Sequence, residues 1–360
     1  MNIAFLSAGA LRNPKESAHI TTMELAKAII AAGHTVVIIT SRIEGMPVKD
    51  EKEGVLIYRS HFPFLSKLLS HPFGLRTVQK ELGITFDIIH SFSATPLFVL
   101  SGWLAKLFSP QAKVIHTLKS YSKRKGNLYP LLNLADAITV PTAIFADKLT
   151  LVRRQKIKII HSPLRSDKFL PQDKVRLKKK LGFKGKKIIL YYGGMWDNKG
   201  INVLLKAMPL ITKNNSDLLM LCAPRYNQIE EQQRLVKELK MENNVRFIIE
   251  DIPIEDYAAM ADIIALPYKS LIGTEGNPSC VLEAMACKTT VVTTDLPELR
   301  EIAEGCVLFA KPNDVNSLAK TIDYALNDDN SEMIEKAYQK SLEFDVKRIG
   351  DDFVTIYNKN

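Results

Sequence analysis

Glu275 and Glu283 stand eight positions apart in the stretch TEGNPSCVLEAM (274–285), with Asn277, Pro278 and Ser279 between them. Two carboxylates at that distance cannot share one turn of a continuous helix, where neighbours lie three or four residues apart. Asn-Pro-Ser instead makes a turn and starts a helix near Ser279 or Cys280. Glu275 then lies in the loop before that helix and Glu283 on its second turn. The first N–H groups of a helix lack intrahelical acceptors and sit at the positive end of its dipole. The main chain of Ser279, Cys280 and Val281 is therefore a candidate phosphate holder, with Asn277 in the turn beside it. Of the flanking carboxylates, Glu283 would accept from a ribose diol and Glu275 from hydroxyls on a group attached to the phosphate. A nucleotide-sugar has its parts in that order.

A second stretch with binding chemistry is YYGGMWDNKG (191–200). Gly193 and Gly194 allow close backbone approach, and Lys199 precedes Gly200 and a helix start, where its ammonium can reach an anion. The spacing matches neither G-x-G-x-x-G nor G-x-x-x-x-G-K-[ST], so the dinucleotide fingerprint and the Walker loop are both absent. Taken alone, the stretch is also compatible with a β-turn carrying an exposed lysine. Among the histidines, His90 and His116 lie on apolar strands, the usual place of a satisfied core histidine. His19 falls in a loop near the N-terminus and is the acceptor-side catalytic candidate.

These residues need elements to position them. Strand-length apolar runs alternate with amphipathic helical stretches: 2–8, 35–40, 87–92, 113–118, 137–142 and 156–162, then 187–193, 217–223, 244–250, 262–268, 289–295 and 306–311. Leu25, Ile29 and Ile30 repeat at helical spacing, and Gly33 stands where a C-cap glycine belongs. Alternation of this kind specifies α/β architecture with parallel sheets. With 360 residues, two domains are expected. The proline- and charge-rich stretch 162–187 reads as the linker. The assignment is a first domain over 1–162, a second over 163–344, and a terminal helix (345–360) returning to the first, with a break near Phe344 or Gly350. Ligand loops are expected where strands end, at the carboxyl edges of the two sheets.

Hydrophobic residues make up 46% of the chain and charged residues 24%, as in ordinary soluble proteins. There is no basic leader and no stretch of about 20 apolar residues, so neither a signal peptide nor a transmembrane helix is expected. Cys222, Cys280, Cys287 and Cys306 show no C-x-x-C pairing, which suggests reduced thiols, a cytoplasmic setting and no zinc site. The net charge is +10, and 101–160 is strongly basic, a field that favours an anionic partner or is simply a solvated face. Nucleic acid is not expected as the partner of that segment. The segment 61–76 mixes Phe62, Phe64, Leu65, Leu68, Leu69 and Phe73 with Lys67 and Arg76. It reads as a buried helix, or as a face that touches an anionic membrane from the cytoplasmic side.

The Glu275–Glu283 stretch resembles the E-x7-E motif of the retaining group 1 glycosyltransferases of GT-B type. LAKAIIAAGHTVVIIT, FDIIHSFSATP, YYGGMWDNKGINVLLKAM, NVRFIIEDIPIEDYAAMADIIALPY and the final FVTIY resemble further segments of that family in the same order. The resemblance implies two Rossmann-like domains facing across a cleft, with donor binding in the second and acceptor binding in the first. It implies that Lys199 binds the donor's phosphates, Glu283 its ribose and Glu275 its sugar hydroxyls. The helix start at Ser279, Cys280 and Val281 would hold the distal phosphate. The donor is a nucleoside diphosphate sugar, the acceptor a glycan or glycolipid. No further cofactor and no metal is implied, since the leaving diphosphate is stabilised electrostatically.

The chain departs from the family at Gly194, usually arginine, and Arg225 is the replacement cation. Lys119 stands where a histidine is common, Glu16 and Ser17 replace a glycine pair, and Lys288 replaces a glycine. Two other readings share the architecture: a sugar-nucleotide epimerase, and a non-catalytic nucleotide-sugar-binding partner of a transferase.

Overall fold

The computed structural model describes residues 1–7, 17–42, 44–60 and 67–359. Glu16 and the 61–66 part of the apolar, cationic segment, including Phe62, Phe64 and Leu65, lie outside the described residues. The chain forms two compact units. The first comprises Met1–Pro163, Ile272–Asn277 and Val346–Asn360, and the second Leu164–Leu271 and Pro278–Asp345.

The first unit is built on β1 (Asn2–Ser7), β2 (Thr35–Ser41), β3 (Lys49–Lys52), β4 (Val55–Ser60), β5 (Ile88–Ser93), β6 (Lys113–Leu118), β7 (Ala137–Val140) and β8 (Ile157–Ile159). They form one sheet in the order β3-β4-β2-β1-β5-β6-β7-β8. Every pairing is parallel except that of β3 with β4. β1 is almost wholly buried and β5 is buried on both faces, as strands covered by helices on both sides are. The helix Ser17–Ala31 ends at Gly33, whose φ of 86° suits glycine at a helix end.

The last helix, Val346–Asn358, packs on Ser17–Ala31, burying Ile349, Phe353, Ile356 and Tyr357. Gly350 lies inside it, and a Cβ there would stand 3.1 Å from that of Ala28. The chain breaks at Phe344–Asp345 rather than at Gly350, because Asp345 leaves the helical region (ψ 137°) while Gly350 serves close packing.

The second unit carries β9 (Lys187–Gly193), β10 (Leu218–Pro224), β11 (Val245–Phe247), β12 (Ile263–Leu266), β13 (Thr290–Thr294) and β14 (Leu308–Ala310). This sheet is wholly parallel, in the order β11-β10-β9-β12-β13-β14. From β9 the chain winds outward to β10 and β11, then returns to lay β12 on the other side of β9. The point of reversal between β9 and β12 is where doubly wound sheets open a crevice at their carboxyl edge.

Three expectations change. β3 and β4 escaped notice because β3 is the charged run KDEK, an exposed edge strand without apolar alternation. The stretch 162–187 is no free linker: Leu164, Phe169, Leu177 and Phe183 are buried in the second unit's core, and Lys174–Lys180 is helical. The segment Ile272–Asn277, expected in the second domain, groups with the first unit. Of the 61–76 segment, Lys67–Leu82 is a helix that buries Leu75 and Val78 and leaves Phe73 37% exposed.

Candidate functional site

β9 ends in Tyr191, Tyr192 and Gly193, followed by a 3-10 turn Asp197–Lys199 and the helix Ile201–Ile211. Gly200 joins turn and helix with φ 74°, and a Cβ there would lie 1.8 Å from the Pro267 carbonyl oxygen. Only glycine lets the loop after β9 approach the loop after β12 so closely. Lys199 is delivered by this turn, its Nζ 4.8 Å from the centre of the Tyr268 ring. Asp197 pairs with Lys269 at 2.5 Å, and the Lys269 N–H donates to the Asn198 carbonyl, tying the two loops together.

Gly193 adopts φ 130°, and its carbonyl accepts from the Arg225 N–H at 2.9 Å. Arg225 therefore follows β10 directly alongside the glycine pair. A Cβ on Gly194 would stand 2.6 Å from the Trp196 ring, so the indole occupies the space a side chain at 194 would need. Trp196 is 52% exposed and lies 5.8 Å, centre to centre, from Tyr226.

The helix expected near Ser279 runs Ser279–Ala286 with Pro278 before it, and buries Val281, Leu282, Ala284, Met285 and Ala286. Its start differs from expectation at one position. The Val281 N–H already donates to the Pro278 carbonyl at 3.1 Å, which leaves the phosphate-holding part to Ser279 and Cys280. On the second turn, Glu283 meets a partner that the sequence reading missed. The Tyr192 hydroxyl lies 3.0 Å from the Cys280 carbonyl and 3.1 Å from Glu283 Oε2, shared as donor between them. Burial, with Glu283 beside it, keeps the Tyr192 phenol well above its usual pKa and so protonated. Its signal in sequence was slight: a tyrosine ending a strand just ahead of the glycine pair. Gly193, Lys199 and Arg225 thus stand at the carboxyl ends of β9 and β10, and Glu283 on the helix Ser279–Ala286 that comes after β12.

Glu275 is surrounded differently. Its loop lies along the chain that leaves β6: Ser120 and Glu275 form an isolated antiparallel bridge, and the Gly273 N–H donates to the Tyr121 carbonyl at 2.8 Å. A Cβ on Gly276 would meet the Pro141 side chain at 3.1 Å and the Phe145 ring at 3.3 Å, so this seat is tight. Glu275 lines a cavity of about 40 Å³ with Lys119, Thr21, His161 and the apolar Phe92, Ile160 and Phe353. Asn277, at the end of the loop, is fully buried, and neither atom of its amide has a hydrogen-bond partner among the described residues. A buried amide in that condition costs roughly 1–3 kcal/mol until something pairs with it.

His19 is in the first turns of the helix Ser17–Ala31 rather than in a loop, and is 9% exposed. His90 is a core histidine, with Nδ1 2.7 Å from the Tyr357 hydroxyl and Nε2 2.7 Å from Thr117 Oγ1. Burial holds its pKa well below the ordinary value and brings His116 down to about 3. Both rings are neutral near pH 7.

Two family descriptions match the chain. Residues 173–340 match "Glycosyl transferases group 1", and residues 18–168 match "Glycosyltransferase Family 4". An uncharacterized glycosyltransferase of Methanocaldococcus jannaschii is 24% identical over 342 residues, covering 84% of this chain and 83% of that one. The phosphatidylinositol N-acetylglucosaminyltransferase GPI3 subunit of Saccharomyces cerevisiae is 21% identical over 322 residues, covering 84% of this chain and 70% of the relative. Among solved structures, Anabaena HepE in complex with UDP and glucose superposes with a TM-score of 0.80 at 17% identity, over 99% of each chain. The fold is thus of GT-B type.

Proposed function

The chain belongs to the group 1 glycosyltransferases, and on that premise we propose that it moves a sugar from a nucleoside diphosphate sugar to an acceptor hydroxyl with retention at the anomeric carbon. The observation that carries this reading is Glu283, held by Tyr192 at the reversal point between β9 and β12, with Lys199 and Arg225 on neighbouring loops. A carboxylate on the second turn of a helix that follows the reversal point, with two cations on the turns after β9 and β10, suits a ribose diol joined to a diphosphate.

In this reading Glu283 accepts from the ribose hydroxyls, and a protonated Tyr192 fixes the rotamer in which it does so. Lys199 and Arg225 take the diphosphate with the Ser279 and Cys280 N–H groups and the Gly193–Gly194 backbone. Glu275 is the residue assigned to the donor sugar's hydroxyls. As the bond from anomeric carbon to diphosphate breaks, negative charge grows on the leaving oxygens. Lys199 and Arg225 stabilise that charge, and a diphosphate oxygen takes the acceptor's proton on the face the leaving group departs from. No metal and no protein nucleophile has a step, and His19 is the residue assigned to the acceptor side.

The acceptor is a glycan or glycolipid. A lipid-borne acceptor is supported by the yeast relative, whose name specifies phosphatidylinositol, and by exposed Trp103, Leu107 and Leu151 near Lys106 and Arg153 in the first unit. Such a face suits peripheral contact with an anionic membrane. A second reading, a nucleotide-sugar binder without turnover, is favoured by one observation: Trp196 fills the space beside Gly194 where the family carries a cation.

Proton NMR of the reaction with UDP-, GDP- and ADP-sugars tests both readings. Transfer or hydrolysis with the donor's anomeric configuration kept supports the enzyme. Inverted product, or a changed sugar configuration on intact nucleotide, contradicts it. Binding without any sugar release is the outcome of the second reading.

A further inference from the structure

We propose that Lys119 is the positioning residue of Glu275: it supplies the counter-charge that holds that carboxylate and its loop on the end of the first sheet. Lys119 follows β6 directly, and the neighbouring Ser120 is bridged to Glu275. Its Nζ lies 5.6 Å from the centre of the Phe92 ring and 3.5 Å from Thr22 Oγ1. Lys119 and Glu275 line the same small cavity, whose walls are otherwise largely apolar.

A lone ammonium or a lone carboxylate is disfavoured in such surroundings, whereas the pair offsets much of the cost to each. Burial brings the Lys119 pKa down to about 8, and Glu275 opposes that fall. Other ionisable groups face the cavity without replacing either partner. His161 places Nδ1 2.8 Å from the Pro141 carbonyl, and His90 and His116, behind the cavity on β5 and β6, are neutral near pH 7. Thr21 and Thr22 from the helix Ser17–Ala31 are polar but uncharged, and the last helix contributes Phe353.

When pH rises through about 8 the ammonium is lost, and with it the attraction that Lys119 offers the Glu275 carboxylate. The pairing stands on this geometry alone. Its consequence for transfer rests on the reading of Glu275 as the donor-sugar group.

Two measurements test the two parts separately. Lysine labelled with carbon-13 at Cε gives a titrating NMR signal for Lys119, identified by its loss in Lys119→Arg. The expected midpoint is about 8, moving lower in Glu275→Gln. A midpoint at the ordinary lysine value of about 10.4, or one that Glu275→Gln leaves in place, overturns the pairing whether or not the protein transfers sugar. Release of nucleoside diphosphate from UDP-, GDP- and ADP-sugars is then followed against pH. Wild type is expected to lose rate above pH 8, while Lys119→Arg, charged throughout the range, keeps its rate there. Lys119→Met, once shown folded by circular dichroism, loses rate at every pH. A Lys119→Arg profile with the wild-type alkaline fall, or a Lys119→Met enzyme at the wild-type rate, overturns the positioning role.

Discussion

Lys119 carries a charge that its surroundings resist, and stability should register this as well as turnover. Its folded pKa of about 8 lies below the ordinary lysine value of 10.5, so between those two pH values the unfolded chain binds the proton that the folded one has released. The penalty is therefore fully present below pH 8 and disappears as pH rises towards 10.5. Denaturant melts should find wild type gaining stability relative to Lys119→Met, by on the order of 3 kcal/mol, between pH 8 and pH 10.5 as the folded chain sheds the proton. A difference independent of pH would be one of packing alone. Residue types in this region were legible in the sequence: Glu275, Glu283, Lys199 and Gly193 were read from spacing and loop position. Their partners were not, because Tyr192 reaches Glu283 across 91 residues, and Lys119 is brought to Glu275 by the bridge of its neighbour Ser120, which no local pattern encodes.

The elements that deliver these residues depend on two glycines in different ways. Gly200 combines a left-handed backbone with a near contact to the Pro267 carbonyl, so Gly200→Ala has no unstrained alternative. It should cost roughly 3 kcal/mol or more in thermal or chemical unfolding, and weaken nucleotide binding by displacing Lys199. Retention of wild-type stability would show that the loop has freedom the close contact denies. Gly194 is instead blocked by a side chain, the Trp196 ring, which can move. The double variant Gly194→Arg/Trp196→Ala should add a charge-assisted hydrogen bond to the diphosphate and tighten nucleoside diphosphate binding by about tenfold or more. Calorimetry showing no gain would mean that Arg225 already meets the need.

At this scale strand positions were read well because buried parallel strands are continuous apolar runs. The edge strand β3 and the helix Lys174–Lys180 were lost in charge-rich sequence. Of the two positions expected for the break before the last helix, Phe344 is the one the chain uses, since Gly350 serves packing rather than termination.

At the scale of the molecule, composition gave an α/β chain long enough for two units, and the family resemblance gave the order of their parts. What neither could give was the grouping of Ile272–Asn277 with the first unit, which gives the two glutamates of one motif different surroundings. The net charge of +10, the basic 101–160 segment and the exposed Trp103, Leu107 and Leu151 should bring the protein to anionic bilayers. No helix among the described residues is long and apolar enough to cross one. Flotation with phosphatidylglycerol vesicles should recover it at low salt, with recovery reduced in Trp103→Ser/Leu107→Ser; equal recovery with neutral phosphatidylcholine vesicles would count against this face.

The central claim, a nucleoside diphosphate sugar held by Glu283 at the reversal point of the second sheet, is tested most directly by calorimetric titration with UDP, GDP and ADP on wild type and on Glu283→Ala. The account predicts micromolar binding of one nucleotide, weakened roughly tenfold to a hundredfold in the variant as hydrogen bonds to a charged acceptor are lost. Binding of equal strength in both proteins, or of none of the three nucleotides to wild type, would contradict it.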